Sequence, residues 1–447
     1  MLQKIIDFFE NKNIAILGFG LEGQSTYNFI INNVKNYNIT IIDKSDVSDK
    51  LTIKDTHTKI IYGENYLNNL EEYDIIMKTP GINLKTINTT HIKNKISSQL
   101  ELILQYNSNN IIGITGTKGK STTTSLIYKT LKDQLKNVYL AGNIGIPIFD
   151  ELTNYNNDTI LVIEMSSHQL EYISKSPHIG IILNLYEDHL DHAGTVDYYH
   201  NSKLNMFKFQ NKDDIAIYCN DNDTLRRKIE ENNFLGKKYK VQLKFNDQCI
   251  SNKDNKTYYN KECIYIDDEK RHLPGDHNLE NIMIASLVAK LFNLNLNKAK
   301  ESIDSFKGLE HRLEYSGTYN DIIYYCDTIA TIPEATISGI QALKKINTLI
   351  IGGMDRGINY QPLIDFLNQS TIKNLICMPT TGHKIAKQIN NKNINIVNVE
   401  TLEEAVHEAK IITEKNTICL LSPAASSYEY FKNYIEKGNR FKELIKE

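Results

Sequence analysis

Short runs of β-branched and other apolar residues alternate along this chain with longer stretches in which apolar residues recur at helical spacing. The first such runs are Asn13–Gly20, Asn38–Lys44 and Tyr73–Gly81. Strands that alternate with amphipathic helices are typical of βα units around a parallel sheet, so we expect an α/β fold. These three runs predict a Rossmann-like N-terminal domain over residues 1–95.

The same alternation continues in two further blocks. Residues 96–305 hold apolar runs on either side of a glycine-rich turn, and we expect a central P-loop-like ATPase domain with a parallel sheet. Residues 306–447 hold four more strand-like runs, which predict a Rossmann-like C-terminal domain. Between Asn233 and Glu269 a polar stretch with weak alternation predicts hairpins or a mobile insertion.

The segment Ile111–Thr124, with the sequence IIGITGTKGKSTTT, predicts a strand, a glycine-rich turn and the start of a helix. Phosphate is bound well by backbone N–H groups at a helix N-terminus and by a lysine, while a hydroxyl can ligate Mg2+. The residues that would supply these groups are Gly116, Gly119, Lys120 and Ser121 or Thr122. The spacing departs from the strict P-loop pattern, because Ile114 stands where its first glycine would fall. We expect a nucleoside triphosphate site, and the alternative is a structural turn without a ligand.

A second glycine pattern lies in the first block. Gly18, Gly20 and Gly23 form GxGxxG, and Asp43 ends the next strand about 20 residues later, as in dinucleotide-binding folds. Any pyrophosphate can bind to such a turn, including that of a UDP-sugar, so the motif does not identify the ligand. An NAD-dependent oxidoreductase and a purely structural turn therefore stay open on this motif.

Acidic and imidazole groups follow two apolar runs of the central block. Glu164 ends the run ILVIE, and Asp188 and His189 follow the run IGIILNL. The carboxyl ends of parallel strands face the ligand crevice of an open sheet, where a carboxylate can hold Mg2+. Lys203 carries no such signal, and its local pattern alone indicates a lysine on a helix surface.

Composition and charge limit the function classes. Of the 447 residues, 41% are hydrophobic and 23% are charged, and the formal net charge is −3, which argues against a general nucleic-acid binder. We find no apolar run long enough to span a membrane and no signal-peptide layout at the N-terminus, so we expect a cytoplasmic protein. Six scattered cysteines without a CxxC pair indicate reduced thiols.

Taken together, these motifs resemble the Mur ligase family, the ATP-dependent amide-forming enzymes of peptidoglycan precursor synthesis, and most closely its glutamate-adding branch. The resemblance covers nearly the whole chain. The matching stretches are TGTKGKST at Thr115–Thr122, AGNIGIP at Ala141–Pro147, EMSSHQLE at Glu164–Glu171, NLYEDHLDH at Asn184–His192, GDHNLENI at Gly275–Ile282, HRLE at His311–Glu314, GGMDRG at Gly352–Gly357 and LSPAASSYEYFKNYIEKGNRF at Leu421–Phe441.

The resemblance implies roles for the residues at matching positions. For ATP binding it implies Gly116, Thr117, Lys118, Gly119, Lys120, Ser121, Thr122, Asn278, Asn281, Arg312 and Asp327. For Mg2+ it implies Ser121, Glu164, His189 and an N-carbamylated Lys203, and for catalysis Lys120, His189 and Lys203. For the UDP-linked substrate it implies Leu21, Glu22, Asp43, Lys44, Thr79, Gly81, Asn143, Ser166 and Gln169. For the incoming amino acid it implies Thr331, Arg356, Ser427 and Tyr434.

The implied reaction uses ATP to convert the carboxylate of UDP-N-acetylmuramoyl-L-alanine to an acyl phosphate, which the amine of glutamate then attacks. The cofactors would be ATP and Mg2+. The partners would be these small molecules alone, without nucleic acid or membrane, and the protein would act as a monomer.

The chain departs from the family pattern at the amino-acid pocket. Where enzymes that add D-glutamate read DSKATN, this chain reads DTIATI, so Ile329 replaces the lysine and Ile332 the asparagine. Arg356 replaces a later lysine and can still hold a carboxylate. D-glutamate is the family default, and L-glutamate stays open because relatives that add it carry a DSI-type pattern. A folylpolyglutamate synthase, a later Mur enzyme and a non-catalytic homologue also stay open.

Overall fold

Three sheets, rich in parallel strand pairs and flanked by helices, make up the protein in a computed structural model. The chain divides into two compact units, residues 1–268 with 279–303 and residues 269–278 with 304–447. The α/β class expected from the hydrophobic pattern is confirmed. The structure describes residues 1–51, 57–142, 144, 146–187, 194–273, 275–343, 345–355, 357–427 and 430–447.

The first sheet belongs to the first unit, and all its strand pairs are parallel in the order β3-β2-β1-β4-β5. β2 and β3 lie on one side of β1, and β4 and β5 lie on the other, so the loops after β1 and β4 diverge and leave a crevice at the carboxyl ends of these two strands. Its elements are α1 (Leu2–Phe9), β1 (Lys12–Leu17), α2 (Leu21–Asn33), β2 (Tyr37–Asp43), β3 (Thr58–Tyr62), β4 (Ile75–Lys78) and β5 (Ile96–Ser97).

The central sheet has nine strands in the order β14-β13-β12-β11-β10-β9-β6-β8-β7. Its strands are β6 (Ile111–Thr115), β7 (Val138–Gly142), β8 (Ile160–Glu164), β9 (Ile179–Ile182), β10 (Ile215–Cys219), β11 (Lys237–Gln242), β12 (Ile250–Lys253), β13 (Lys256–Tyr259) and β14 (Glu262–Ile266). The pairs from β11 to β7 are parallel, while β12, β13 and β14 pair antiparallel, which confirms the predicted hairpins in this stretch.

This part of the chain also contains helices, several of which pack on the central sheet. They are α3 (Gln99–Asn107), α4 (Lys120–Lys132), α5 (Ser167–Leu170), α6 (Val196–Lys208), α7 (Asp223–Glu231), α8 (Asp276–Leu291) and α9 (Leu296–Asp304). One continuous cluster of buried apolar side chains joins the first two sheets, with Phe9 and Phe29 of the first packed against Phe149 of the second. This shared core explains why both sheets fall in one compact unit.

The third sheet forms the second unit, with the order β15-β16-β20-β17-β18-β19 and one antiparallel pair, β15 with β16. Apolar side chains cover both faces, as expected for buried parallel strands. Its elements are β15 (Glu314–Tyr319), β16 (Ile322–Cys326), α10 (Pro333–Ala342), β17 (Ile346–Ile351), α11 (Gln361–Asn368), β18 (Asn374–Cys377), α12 (Thr381–Ala386), β19 (Asn395–Asn398), α13 (Leu402–Ile412), β20 (Ile418–Leu421) and α14 (Tyr434–Leu444).

The predicted domain boundaries at residues 95/96 and 305/306 stay predictions. Among the helices that the structure describes, none is long and apolar enough to cross a membrane.

Candidate active site

The glycine-rich turn after β6 presents the N-terminus of a 13-residue helix, α4. Gly119 precedes the helix with a φ of 85°, and Gly116 has a φ of 157°. A Cβ atom at Gly116 would lie 3.0 Å from the Cβ of Leu183, so this part of the loop has no room for a larger residue. The helix N-terminus carries backbone N–H groups without helical acceptors, which is the geometry that binds phosphate.

Asn184 fixes the shape of this loop. Its side-chain oxygen accepts hydrogen bonds from the backbone N–H groups of Thr117 at 3.0 Å and Lys118 at 2.8 Å, and its amide donates to the carbonyl of Lys118 at 3.1 Å. The backbone carbonyl of Asn184 accepts a further bond from the Thr117 N–H. This residue was not predicted from the sequence, although its place after an apolar strand and before Asp188 and His189 is a usable signal.

Two lysine side chains converge on the same loop. The Nζ of Lys120 donates to the carbonyls of Gly116 at 3.0 Å and Thr117 at 3.1 Å. The Nζ of Lys203, on α6, donates to the Gly116 carbonyl at 2.9 Å and lies 4.7 Å from the centre of the Tyr199 ring. Lys203 is 1% exposed, so the prediction of a surface lysine from its local pattern is wrong. Tertiary packing of α6 on the sheet buries it beside the loop, and the catalytic and metal-binding roles that the family resemblance implies for Lys203 stay predictions.

Oxygen donors suited to a hard cation lie beside the loop. Glu164 is buried at the end of β8, paired in register with Ile114 on the neighbouring strand β6, and Ser121 is buried in the first turn of α4. Mg2+ prefers carboxylate, hydroxyl and water oxygens, so Glu164 and Ser121 fit the ion. An unmodified Lys203 ammonium is a cation and cannot ligate Mg2+, whereas a carbamate on the same side chain would present oxygens to the ion. His189, with Asp188, lies outside the described residues.

The residues predicted for ATP divide between the two units. In the first unit Asn281 of α8 accepts a 2.9 Å hydrogen bond from Thr123 of α4, which places it beside the phosphate loop. Thr122 is half-buried in the first turn of α4, and Lys118 is exposed in the loop. Asn278, buried in α8, belongs to the second unit with Arg312 and Asp327.

Asp327 is a buried carboxyl group of the second unit. Its oxygens accept hydrogen bonds from the Ser422 hydroxyl at 2.8 Å and from the backbone N–H of Leu313 at 3.1 Å. Burial raises the pKa of Asp327 to about 7, although these two hydrogen bonds and the charge of Arg312 act in the opposite direction. Arg312 therefore lies close enough for its charge to act on the Asp327 carboxyl group.

The GxGxxG turn of the first sheet is built around close backbone contacts. A Cβ at Gly23 would lie 2.1 Å from the carbonyl oxygen of Gly18, and Gly18 itself has a φ of 85°. The turn is held from two sides: the Asp43 carboxylate accepts the backbone N–H of Phe19 at 2.8 Å, and the hydroxyl of Thr79 donates to the Leu17 carbonyl at 2.8 Å. Leu21, Lys44 and Gly81 are exposed around it, as a ligand site requires.

A chain of polar contacts joins the two sheets of the first unit. Gln169 and Ser166 form a reciprocal capping box at the start of α5, and Gln169 lines one small cavity together with Glu22 of α2 and Lys78. Burial raises the pKa of Glu22 to about 7, against the effects of the Gln169 side chain and of the Lys78 charge. Asn143, the other residue predicted for the acyl-substrate side, lies outside the described residues.

Lys78 is the centre of this contact between sheets, and it was not predicted from the sequence. Its Nζ lies 3.9 Å from the Glu171 carboxylate, and the two side chains are 3% and 4% exposed. Burial lowers the pKa of Lys78, while Glu171 and Glu22 act against that shift. Glu171 also accepts a hydrogen bond from Tyr198 of α6, the helix that carries Lys203. Because Lys78 ends β4 and directly precedes Thr79, these contacts link the end of β4 to α6.

The residues predicted for the amino acid lie in the second unit. Ser427 is buried, and its hydroxyl makes no hydrogen bond within the described part of the chain. The backbone carbonyl of Tyr434 accepts a 2.8 Å hydrogen bond from the hydroxyl of Thr328. Thr331 lies three residues after Thr328 and is half-buried. Ile329 and Ile332, the departures from the family pattern, are both substantially exposed, while Arg356 lies outside the described residues.

Comparison with known proteins agrees with this geometry. The profile of the Mur ligase middle domain matches residues 114–289, and the profile "Mur ligase MurD-like, N-terminal domain" matches residues 12–103. The UDP-N-acetylmuramoylalanine–D-glutamate ligase of Clostridium botulinum (strain Loch Maree / Type A3) is 33% identical, over 99% of this chain and 98% of the relative. The chain belongs to the Mur ligase family. A Clostridium kluyveri ligase of the same name is 32% identical, over 98% of this chain and 97% of the relative.

Solved structures of Mur ligases share the fold. The MurF ligase of Thermotoga maritima in complex with ADP matches with a TM-score of 0.57 and 16% identity, over 99% of this chain and 96% of that one. The UDP-N-acetylmuramate–alanine ligase MurC of Thermotoga maritima matches with a TM-score of 0.55 and 17% identity, over 97% and 99%. The resemblance drawn from the motifs is thus confirmed for the family and for the α/β fold with three sheets.

Within this Mur ligase, the structure brings together two groups of the predicted site residues. The first unit holds the phosphate loop, Glu164, Asn281 and Lys203, and the nucleotide-sugar turn in contact with Gln169. The second unit holds Arg312 and Asp327 near each other, and a hydrogen bond joins the segments that carry Thr331 and Tyr434.

Proposed function

We propose that this Mur ligase joins glutamate to UDP-N-acetylmuramoyl-L-alanine at the expense of ATP, in peptidoglycan precursor synthesis. The observation that carries the proposal is the phosphate loop onto which Lys120 and the buried Lys203 converge, in a chain related over nearly its full length to ligases of that name. We place the enzyme in the cytoplasm, where ATP is available, and propose that it acts as a monomer.

The chemistry requires a carboxylate oxygen to become a leaving group. Transfer of the γ-phosphoryl group of ATP to the alanyl carboxylate forms an acyl phosphate and ADP, and attack by the amine of glutamate forms the amide and releases phosphate. Lys120 and the N–H groups at the start of α4 would stabilise the negative charge that moves between phosphate oxygens. Asn281, beside the phosphate loop, would bind ATP in the first unit. Asn278, Arg312 and Asp327 are the residues of the second unit that the family resemblance assigns to the nucleotide.

Mg2+ is the cofactor that this donor set supports. Glu164, Ser121, a carbamylated Lys203 and the predicted ligand His189 would hold it, and the ion would neutralise phosphate charge when bound. The support for carbamylation is the burial of Lys203 beside the phosphate loop, together with the chemistry of the group, because a carbamate has oxygens to offer a cation where an ammonium has none. Thr331, Ser427, Tyr434 and Arg356 would bind glutamate.

The role of Lys203 is tested by substitution on one helix. Lys203→Ala should reduce turnover severely, and short carboxylic acids should restore part of it by occupying the place of the carbamate. Lys208→Ala, an exposed lysine on the same helix, is the control that should retain wild-type turnover. Wild-type activity in Lys203→Ala would contradict the assignment.

The enantiomer of glutamate needs its own experiment. The names of the relatives favour D-glutamate, whereas the apolar Ile329 and Ile332 at positions usually held by lysine and asparagine make the L-form the second candidate. Purified protein should be assayed with ATP, UDP-N-acetylmuramoyl-L-alanine and each enantiomer, with phosphate release and product mass as readouts. Turnover with the L-form alone would replace D-glutamate in the proposal.

A further inference from the structure

The ammonium group of Lys437 is buried in the second unit, where one backbone carbonyl accepts a hydrogen bond from it. Lys437 is 2% exposed, and its Nζ donates to the carbonyl of Gly352 at 2.8 Å. It forms no ion pair with any residue that the structure describes. Burial lowers the pKa of Lys437 to about 7, and the thiol of Cys326 acts against this shift. Burial of an ammonium group costs free energy, so a lysine at this position indicates a function that an apolar residue would not serve.

One end of this contact is the first turn of α14, which is held in place by neighbouring segments. The Asn433 side chain caps the helix by accepting the N–H of Glu436. The Tyr434 carbonyl accepts a hydrogen bond from the Thr328 hydroxyl, and this bond connects the turn to the segment that continues to Thr331. Gly438 follows Lys437, and a Cβ there would lie 2.1 Å from Nδ1 of His311, so the helix packs without space to shift.

The other end is the glycine pair that begins the GGMDRG stretch. Gly352 and Gly353 have φ values of 122° and 147°, and a Cβ on either would lie within 2.4 Å of a backbone oxygen, of Met378 or of Ser426. The N–H of Met354 donates to the Ser426 carbonyl at 2.9 Å, directly before Ser427. Lys437 is therefore bonded to the glycine turn, which is itself bonded to the segment before Ser427, while the helix that carries Lys437 is bonded to the segment before Thr331.

We propose that Lys437 is a positioning residue of the amino-acid pocket, which sets the glycine turn at 352–353 against the first turn of α14. It does not touch the substrate; it holds the segments that carry Ser427 and Tyr434. The inference rests on the proposed function, because it assigns that pocket to glutamate. A long side chain with a terminal donor is needed, since an apolar residue of similar length would leave the buried Gly352 carbonyl without this partner.

The test compares two substitutions with a control on the same helix. Lys437→Met keeps the length and removes the donor, while Lys437→Gln keeps a shorter donor without charge. Arg440→Met changes a half-exposed side chain of α14 that pairs with Glu403. For each variant the KM values for glutamate, ATP and the UDP-linked substrate, the kcat and the melting temperature are measured.

We expect Lys437→Met to raise the KM for glutamate about 10-fold or more, since small displacements of positioned groups weaken binding strongly. The KM values for ATP and the UDP-linked substrate should stay within about twofold. Lys437→Gln, whose donor is one bond shorter, should raise the KM for glutamate less than Lys437→Met but still about threefold or more. Arg440→Met should match the wild type. An unchanged KM for glutamate in Lys437→Met overturns the proposal. A parallel rise of all three KM values together with a lower melting temperature also overturns it, because that result indicates a general structural role for Lys437. If Lys437→Met does not fold, Lys437→Gln decides by the same criteria.

Hydrogen–deuterium exchange of the substrate-free proteins separates this inference from the proposed function. Lys437→Met should speed exchange in residues 352–355 and 430–434 and leave the phosphate loop unchanged. If the wild type consumes neither enantiomer of glutamate, the proposed function fails, and the exchange data alone then decide on Lys437. Unchanged exchange in both segments overturns the positioning role.

Discussion

The buried pair of Lys78 and Glu171 offers a quantitative test of how the first unit is held together. At 3.9 Å and an effective dielectric constant of about 20, the attraction between the two charges is roughly 4 kcal/mol, which desolvation largely offsets. Lys78→Met removes the cation but leaves Glu171 and Glu22 beside a neutral side chain. Removing one partner of a buried pair costs about 3–5 kcal/mol, and the length of this contact suggests the lower end, about 3 kcal/mol.

Calorimetry is the suitable assay, because the chain has no tryptophan to report unfolding by fluorescence. With a shift of about 2 °C per kcal/mol for a large cooperative unit, Lys78→Met should lower the melting temperature of the first unit by about 6 °C. Glu171→Gln and the double substitution complete a double-mutant cycle, in which we expect a coupling of about 2 kcal/mol between the two residues. Lys59→Met, an exposed lysine on the same sheet, should change the melting temperature by less than about 1 °C.

Two results would refute the reasoning about this pair. A melting temperature of Lys78→Met within about 1 °C of the wild type would mean that the charge contributes nothing net to stability. Additive effects of the two single substitutions would mean that Lys78 and Glu171 do not interact, whatever the size of each effect.

Three further outcomes are expected. Gly438→Ala should lower the melting temperature of the second unit in calorimetry, because the new methyl group would lie 2.1 Å from His311; an unchanged value would contradict this packing. Asp327 has a raised pKa in the folded state, so its contribution to stability is complete below about pH 4 and declines as the pH rises towards 7. Asp327→Asn should flatten that decline in pH-dependent melting curves. A pH profile identical to that of the wild type would contradict the raised pKa of Asp327. Lys120→Met should slow phosphoryl transfer about 10²–10³-fold in single-turnover measurements with labelled ATP, and a loss below about tenfold would argue against its role at the phosphates.

Features that depend on neighbouring residues in the chain could be predicted from the sequence. The strand, turn and helix around Gly116–Lys120 follow from local hydrophobic periodicity and from glycines that can adopt positive φ, and the same holds for Gly18 in the GxGxxG turn. Glu164 was placed at the edge of the sheet because a carboxylate at the end of a parallel strand faces the crevice. The hairpins of β12–β14 were visible as weak alternation between polar and apolar residues.

Only the tertiary structure decided which polar side chains are buried and what they contact. Lys203 has the local pattern of a surface residue, yet packing of α6 brings it to the Gly116 carbonyl, 87 residues away in the chain. Asn184 on the phosphate loop, Lys78 beside Glu171 and Lys437 beneath Gly352 are similar cases. A lysine or an asparagine has the same local preferences whether buried or exposed, and its environment is set by elements distant in sequence. The family motifs could identify part of this arrangement, whereas hydrophobic periodicity carries no information about it.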